Sequence, residues 1–169
     1  CVIRTINRDG GAIWSSNGNI YGLTFSQSNV LIIDPKKDTS EITTITDLTG
    51  NTKYNGGVLV PNGKRYGMPF DTANVLIIDP VTDTASLINV GVATINKYWG
   101  AVLAPNGKIY GIPFSQTNVL IIDPETDTAD ITTITGLTGN TKYNGGVLAP
   151  NGKIYGMPFD AENVLIIAP

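Results

Sequence analysis

The stretch from Ala101 to Ile134, "AVLAPNGKIYGIPFSQTNVLIIDPETDTADITTI", contains four short segments with the composition of β-strands. Asn-Gly supplies the positive φ angles that a two-residue hairpin needs, so it separates the first segment from the second. The third segment, "NVLII", ends in Asp-Pro, a turn signal because the carboxylate bonds nearby backbone and proline presets its own φ. The fourth alternates apolar residues with threonine, which is typical of an outer strand with one wet face.

This unit occurs four times along the chain. The Asn-Gly pairs begin at Asn17, Asn62, Asn106 and Asn151, at spacings of 45, 44 and 45 residues. Four short strands in a unit of about 45 residues are typical of a β-propeller blade, and no segment has a helical period. The sequence therefore predicts an all-β propeller of four blades, which lie near residues 10–54, 55–98, 99–143 and 144–169.

The repeated unit resembles the YVTN-type, surface-layer-like β-propeller repeats of microbial surface proteins. Those repeats also run from a small apolar strand through a Pro-Asp/Asn-Gly turn to a tyrosine-containing strand and a Val-Ile-Asp strand. The second strand differs, because it reads "YGxPF" here instead of "YVTN". The resemblance covers nearly the whole chain and implies a propeller at the cell surface or outside the cell.

A longer repeat of 89 residues is superimposed on the blades. Residues 31–78 match residues 120–167 at 39 of 48 positions, which indicates duplication of a two-blade unit. Two such units would need 178 residues, and the nine that the 169-residue chain lacks correspond to Val81–Asn89. We therefore expect a closed four-bladed ring in which residues Val2–Ile6 complete the last blade by pairing near Val164–Ile167. The alternatives are an excerpt of a longer array and half of an eight-bladed ring made by two chains.

The composition argues against most enzymatic and metal chemistry. The chain has no histidine and one cysteine, which removes Ser-His and Cys-His nucleophiles and the usual zinc sites. Its net charge of −3 and scattered basic residues do not favour a nucleic-acid partner or an anionic membrane surface. No apolar run approaches the ~18 residues of a membrane helix, so we expect no membrane insertion. We expect no enzyme activity and no cofactor. The Asp-Pro-x-x-Asp-Thr segments are interpreted as turns and not as calcium loops, since they lack an EF-hand's ligand density.

One face of the propeller gathers most of the chemically useful side chains. In a four-stranded meander, the loops after the second and fourth strands lie on the same face. We name this the loop face. Trp99 is its most distinctive residue, because the other blades carry Gly10, Asn55 and Asn144 at that position. The candidate ligand-binding residues are Tyr54, Asp71, Tyr98, Trp99, Gln116, Tyr143 and Asp160.

These observations predict a non-enzymatic, lectin-like binding or scaffold module that presents repeated loop sites to a glycan or protein, extracellularly or at the cell surface. Repeated modest sites suit multivalent binding. One alternative is a structural repeat within a larger assembly, and another is a hydrolase or lyase. The lack of histidine and the near-identity of the blades disfavour the enzyme, because a catalytic propeller needs one asymmetric site.

Overall fold

The computed structural model describes residues 9–15, 17–91 and 94–169, and this part of the chain contains strands and turns without a helix. The first blade contains β1 (Asp9–Trp14), β2 (Ile20–Thr24), β3 (Leu31–Asp34) and β4 (Thr39–Glu41). The second contains β5 (Tyr54–Leu59), β6 (Arg65–Pro69), β7 (Asn74–Asp79) and β8 (Thr84–Asn89). The third contains β9 (Tyr98–Leu103), β10 (Ile109–Pro113), β11 (Leu120–Asp123) and β12 (Thr128–Asp130). The fourth contains β13 (Tyr143–Leu148), β14 (Ile154–Pro158) and β15 (Leu165–Ile167).

Each blade is an antiparallel meander, in which every strand pairs with the next one along the chain. The hairpins have the predicted chemistry: in the third blade, Gly107 adopts a φ of 80° and its N–H donates to the carbonyl oxygen of Ala104 over 3.0 Å. The Asp-Pro turns do too, because the Asp123 carboxylate accepts the Glu125 N–H over 3.0 Å. The all-β, blade-like architecture is therefore confirmed.

The innermost strands β1, β5, β9 and β13 pack side by side in chain order. Their close approach requires glycine. Gly56 has a φ of 74°, and a Cβ atom placed on it would lie 3.0 Å from the Cα atom of Gly100. A break in the β5–β6 register between Tyr54 and Gly57 accompanies this bend. The paired glycines thus let two blades meet backbone to backbone.

The hydrophobic core lies between blades. We call the face of a blade that looks toward the next blade its forward face, and the opposite one its back face. At the second junction, between the second and third blades, both faces contribute to one buried cluster. The forward face supplies Val58, Tyr66, Met68, Val75 and Ile77. The back face supplies Tyr98, Ile109, Leu120 and Ile122.

The predicted closed four-bladed ring is not seen. Within the described residues, β13 has no packing against β1 comparable to that between successive innermost strands. The forward face of the fourth blade is uncovered, with Val147 54% and Ile166 57% exposed. The four blades therefore form an open array. Residues Val2–Ile6 lie outside the described part, so their pairing with the last blade stays a prediction.

Candidate functional site

A row of four phenylalanines links the blades on the loop face. Each follows the second strand of its blade, so the sequence repeat places one ring per blade. The members are Phe25, Phe70, Phe114 and Phe159. Successive ring centroids lie 6.2, 6.1 and 5.8 Å apart, within the range of favourable aromatic contact.

Trp99 lies against the middle of this row. It belongs to β9, and its ring centroid is 5.6 Å from that of Phe70, edge to face, and 5.0 Å from that of Phe114. Trp99 is only partly buried, whereas the two phenylalanines that it contacts are each 7% exposed. The second and fourth blades carry Asn55 and Asn144 instead. The structure thus makes one indole-centred platform on an otherwise repetitive face.

The three tyrosines of the predicted site lie in the core. Tyr54, Tyr98 and Tyr143 are between 2% and 7% exposed and belong to the clusters between blades. The hydroxyl of Tyr98 donates to the Asn118 carboxamide oxygen. Burial raises the pKa of Tyr54 to about 12. Their rings therefore pack blades together in this structure, and Trp99 is the least buried aromatic residue of the predicted site.

The two aspartates of the predicted site brace the loops beside the platform. Asp71 accepts hydrogen bonds from the Thr52 hydroxyl and, over 2.7 Å, from the Asn96 N–H. Asp160 accepts one from the Thr141 hydroxyl. Thr52 and Thr141 adopt φ angles of 47° and 48°, which a β-branched residue rarely does. The carboxylates thus hold strained loops in one conformation.

Gln116 is half-buried on the loop face, two residues after Phe114. Its amide nitrogen donates to the Thr94 hydroxyl over 2.6 Å. The carboxamide oxygen has no recorded protein donor within the described residues and is available to accept from a ligand. Gln116 therefore supplies an adaptable polar group near the platform.

Three buried lysines hold the same loops in place. Their burial and their bonds to the loops were not predicted from the sequence. The Lys53 ammonium group donates to the carbonyl oxygen of Gly50 over 2.8 Å. The Lys142 ammonium group makes the equivalent bond to the carbonyl oxygen of Gly139, also over 2.8 Å. The ammonium group of Lys97 donates to the carbonyl oxygen of Thr72. Burial lowers the pKa of Lys97 to about 8, although the Asp71 carboxylate opposes this shift. The only signal in the sequence was the repeated Lys-Tyr pair.

The two faces of the blade array each contain a cavity. One of about 370 Å³ opens between loops of the fourth blade, and its lining includes Lys142, Asp160 and Glu162. Another of about 290 Å³ lies among the hairpin turns of the opposite face, and its lining includes Asn62 and Pro124 but no aromatic ring. The loop face therefore combines a polar cavity with an aromatic platform.

Comparisons with known proteins support the fold. No protein-family model matches the sequence, and no curated protein matches it. Among solved structures, the chain is similar to a catalytically inactive His-to-Ala variant of virginiamycin B lyase from Staphylococcus aureus with quinupristin, at 10% identity and a TM-score of 0.68. It is also similar to the extracellular domain of a hybrid two-component system from B. thetaiotaomicron, at 19% identity and a TM-score of 0.70. A third similar structure is an auxiliary nutrient binding protein from Bacteroides ovatus, at 15% identity and a TM-score of 0.67.

These alignments include most of this chain but much less of the solved ones. They cover 94%, 88% and 99% of it, against 54%, 19% and 46% of the three solved chains. The chain therefore spans about half or less of the propeller-like proteins that it matches. The described residues contain no helix long and apolar enough to cross a membrane. At these identities the likeness shows the fold alone.

Proposed function

We propose that this protein is a non-enzymatic binding scaffold whose loop face takes a glycan at Trp99. The observation that carries the proposal is the half-buried indole, which rests on Phe70 and Phe114 and occurs in one blade only. A ring supported from below keeps one orientation, so little conformational entropy is lost when a ligand stacks on it. The remaining blades supply the rigid frame.

The chemistry around the indole favours a sugar. A pyranose ring offers a C–H face for stacking and hydroxyl groups that need donors and acceptors at its edge. Asp71, Gln116 and Asp160 supply carboxylate and carboxamide groups on the same face, and the braced loops hold the two aspartates in place. A protein ligand is the competing occupant and an outcome of the test below.

The absence of histidine supports a binding role over catalysis. The similar virginiamycin B lyase is catalytically inactive as a His-to-Ala variant. This chain has no histidine at all. We also infer kinship with YVTN-type surface propellers and a location outside the cell or at its surface. The extracellular domain and the nutrient-binding protein among the similar structures are compatible with that location.

A glycan array followed by calorimetric titration tests the proposal. Trp99→Asn installs the residue that the second and fourth blades carry, so the variant should fold normally. It should weaken binding of the strongest array sugar by about 1–3 kcal/mol, the usual cost of losing an aromatic anchor. Asn144→Ala, at the equivalent position of the fourth blade, is the control and should bind like wild type. A blank array would contradict the proposal, and so would a sugar that Trp99→Asn and Asn144→Ala bind equally well. A protein that binds through Trp99 would support the loop face as the binding site but would replace the glycan as its ligand.

A further inference from the structure

The two ends of the blade array expose the two halves of a junction that the chain also builds internally. At the second junction, Val58, Met68 and Val75 of the forward face are at most 9% exposed. Their counterparts on the fourth blade, 89 residues later, are Val147, Met157 and Val164, which are 42–54% exposed. The residue types are identical, but within the described residues no blade packs over this face of the fourth blade.

The complementary half lies on the first blade. At the second junction, Ile109, Leu120 and Ile122 of the third blade are fully buried. Shifted by 89 residues, the same types recur as Ile20, Leu31 and Ile33, which are only partly buried. The back face of the first blade thus repeats the surface that covers the second blade's forward face.

The residues that make polar contacts at the second junction also recur at the two ends. The Lys64 ammonium group lies 2.6 Å from a carboxylate oxygen of Asp127, and Tyr66 donates to the same carboxylate. The equivalents at the ends are Lys153 and Tyr155 on the fourth blade and Asp38 on the first.

Asp38, the acceptor at the first blade, already has the backbone conformation of its equivalents in the other blades. Asp38 has a φ of 52°, against 51° for Asp127 and 52° for Asp83. Asp83 accepts a hydrogen bond from Tyr21 between the first and second blades. Within the described residues, the Asp38 carboxylate has no hydrogen-bond or ion-pair partner. The two ends of the array thus carry side chains of opposite charge, Lys153 on the fourth blade and Asp38 on the first.

We propose that two copies of this chain join head to tail into an eight-bladed ring. The forward face of each fourth blade covers the back face of the other copy's first blade, and Lys153 pairs with Asp38 of the second copy. Two such junctions close a two-fold ring.

Light scattering during size-exclusion chromatography gives the first measurement. The expected mass is that of two chains of 17.9 kDa each. Val147→Asp puts a charge on the exposed forward face and should give the mass of one folded chain, with folding checked by circular dichroism. Val81→Asp makes the same change in an Asp-Pro turn, where Val81 is 84% exposed, and should remain a dimer. A wild-type mass of one chain would overturn the proposal.

Cross-linking distinguishes two copies from a single chain that closes on itself. With the only cysteine replaced (Cys1→Ser), Asp38→Cys and Lys153→Cys are made as separate variants and co-expressed. A short bis-maleimide should then link two chains, while neither variant alone should give a linked pair. The double variant in one chain should link into covalent dimers. If it links only within single chains, and the co-expressed variants do not link, the ends close on each other and the proposal is wrong.

Discussion

Two methionines with the same local sequence provide a sharp test of the open array. Met68 and Met157 each lie in "YGMPF", yet Met68 is fully buried between the second and third blades and Met157 is 42% exposed. Replacing a buried methionine with alanine typically costs 2–5 kcal/mol, because apolar contact is lost and a cavity remains. Met157→Ala loses less, since much of that side chain already contacts water. We expect Met68→Ala to lower the free energy of unfolding by about 2–5 kcal/mol and Met157→Ala, in the single chain, by about 1 kcal/mol.

The assay is urea unfolding at several protein concentrations. At the lowest concentration, where single chains dominate, the two variants should differ by at least about 1 kcal/mol. If two copies join as proposed, the penalty of Met157→Ala should grow at high concentration, because the second copy would then cover that blade face. Equal losses at the lowest concentration would show that the fourth blade is already covered within one chain. That result would refute the open array.

Three further predictions concern the axis, the loops and the pH dependence of stability. Gly56→Ala should lower the free energy of unfolding by about 1–3 kcal/mol, because its Cβ atom would crowd the next innermost strand and its φ is positive. Gly145 has a similar φ of 76° but no atom within 4 Å, so Gly145→Ala should lower it by only about 1 kcal/mol, as measured by urea unfolding. Asp71→Ala should cost about 1–3 kcal/mol, since a hydroxyl and a backbone N–H lose their acceptor, and an unchanged urea midpoint would exclude the bracing role. The folded chain holds the proton of Lys97 less tightly than the unfolded chain, so the free energy of unfolding should rise between pH 8 and 10, and by less in Lys97→Met. Above pH 10 the raised pKa of Tyr54 reverses the trend, because the unfolded chain loses its tyrosine protons first; a flat profile from pH 8 to 10 would contradict the Lys97 assignment.

The blades were predictable because their signals are local. Asn106-Gly107 fixes a hairpin through backbone angles alone, and Asp123-Pro124 fixes a turn through a side chain and a neighbouring N–H. Such signals do not depend on tertiary contacts, and their spacing revealed the repeat. The distinctiveness of Trp99 was also visible, since a residue that breaks a repeat is apparent from alignment of the blades.

The orientation of side chains near the axis could not be predicted in the same way. Tyr54 precedes a register break at Gly57, and an irregularity of this kind overrides the simple alternation of a strand. The rings of Tyr54 and its equivalents therefore enter the core, where the loop sequence suggested a surface. Ring closure escaped prediction too, because residue counts do not determine whether the last blade meets the first or a second copy.

Fluorescence of Trp99 tests the binding site most directly. The chain has two tryptophans, so Trp14→Phe leaves Trp99 as the sole indole. Acrylamide should quench its emission partially, as expected for a half-buried ring, and the sugar with the strongest array signal should protect it at the concentrations at which it binds. Binding confirmed by calorimetry without any change in Trp99 emission or quenching would contradict the assignment of the loop-face platform as the ligand site.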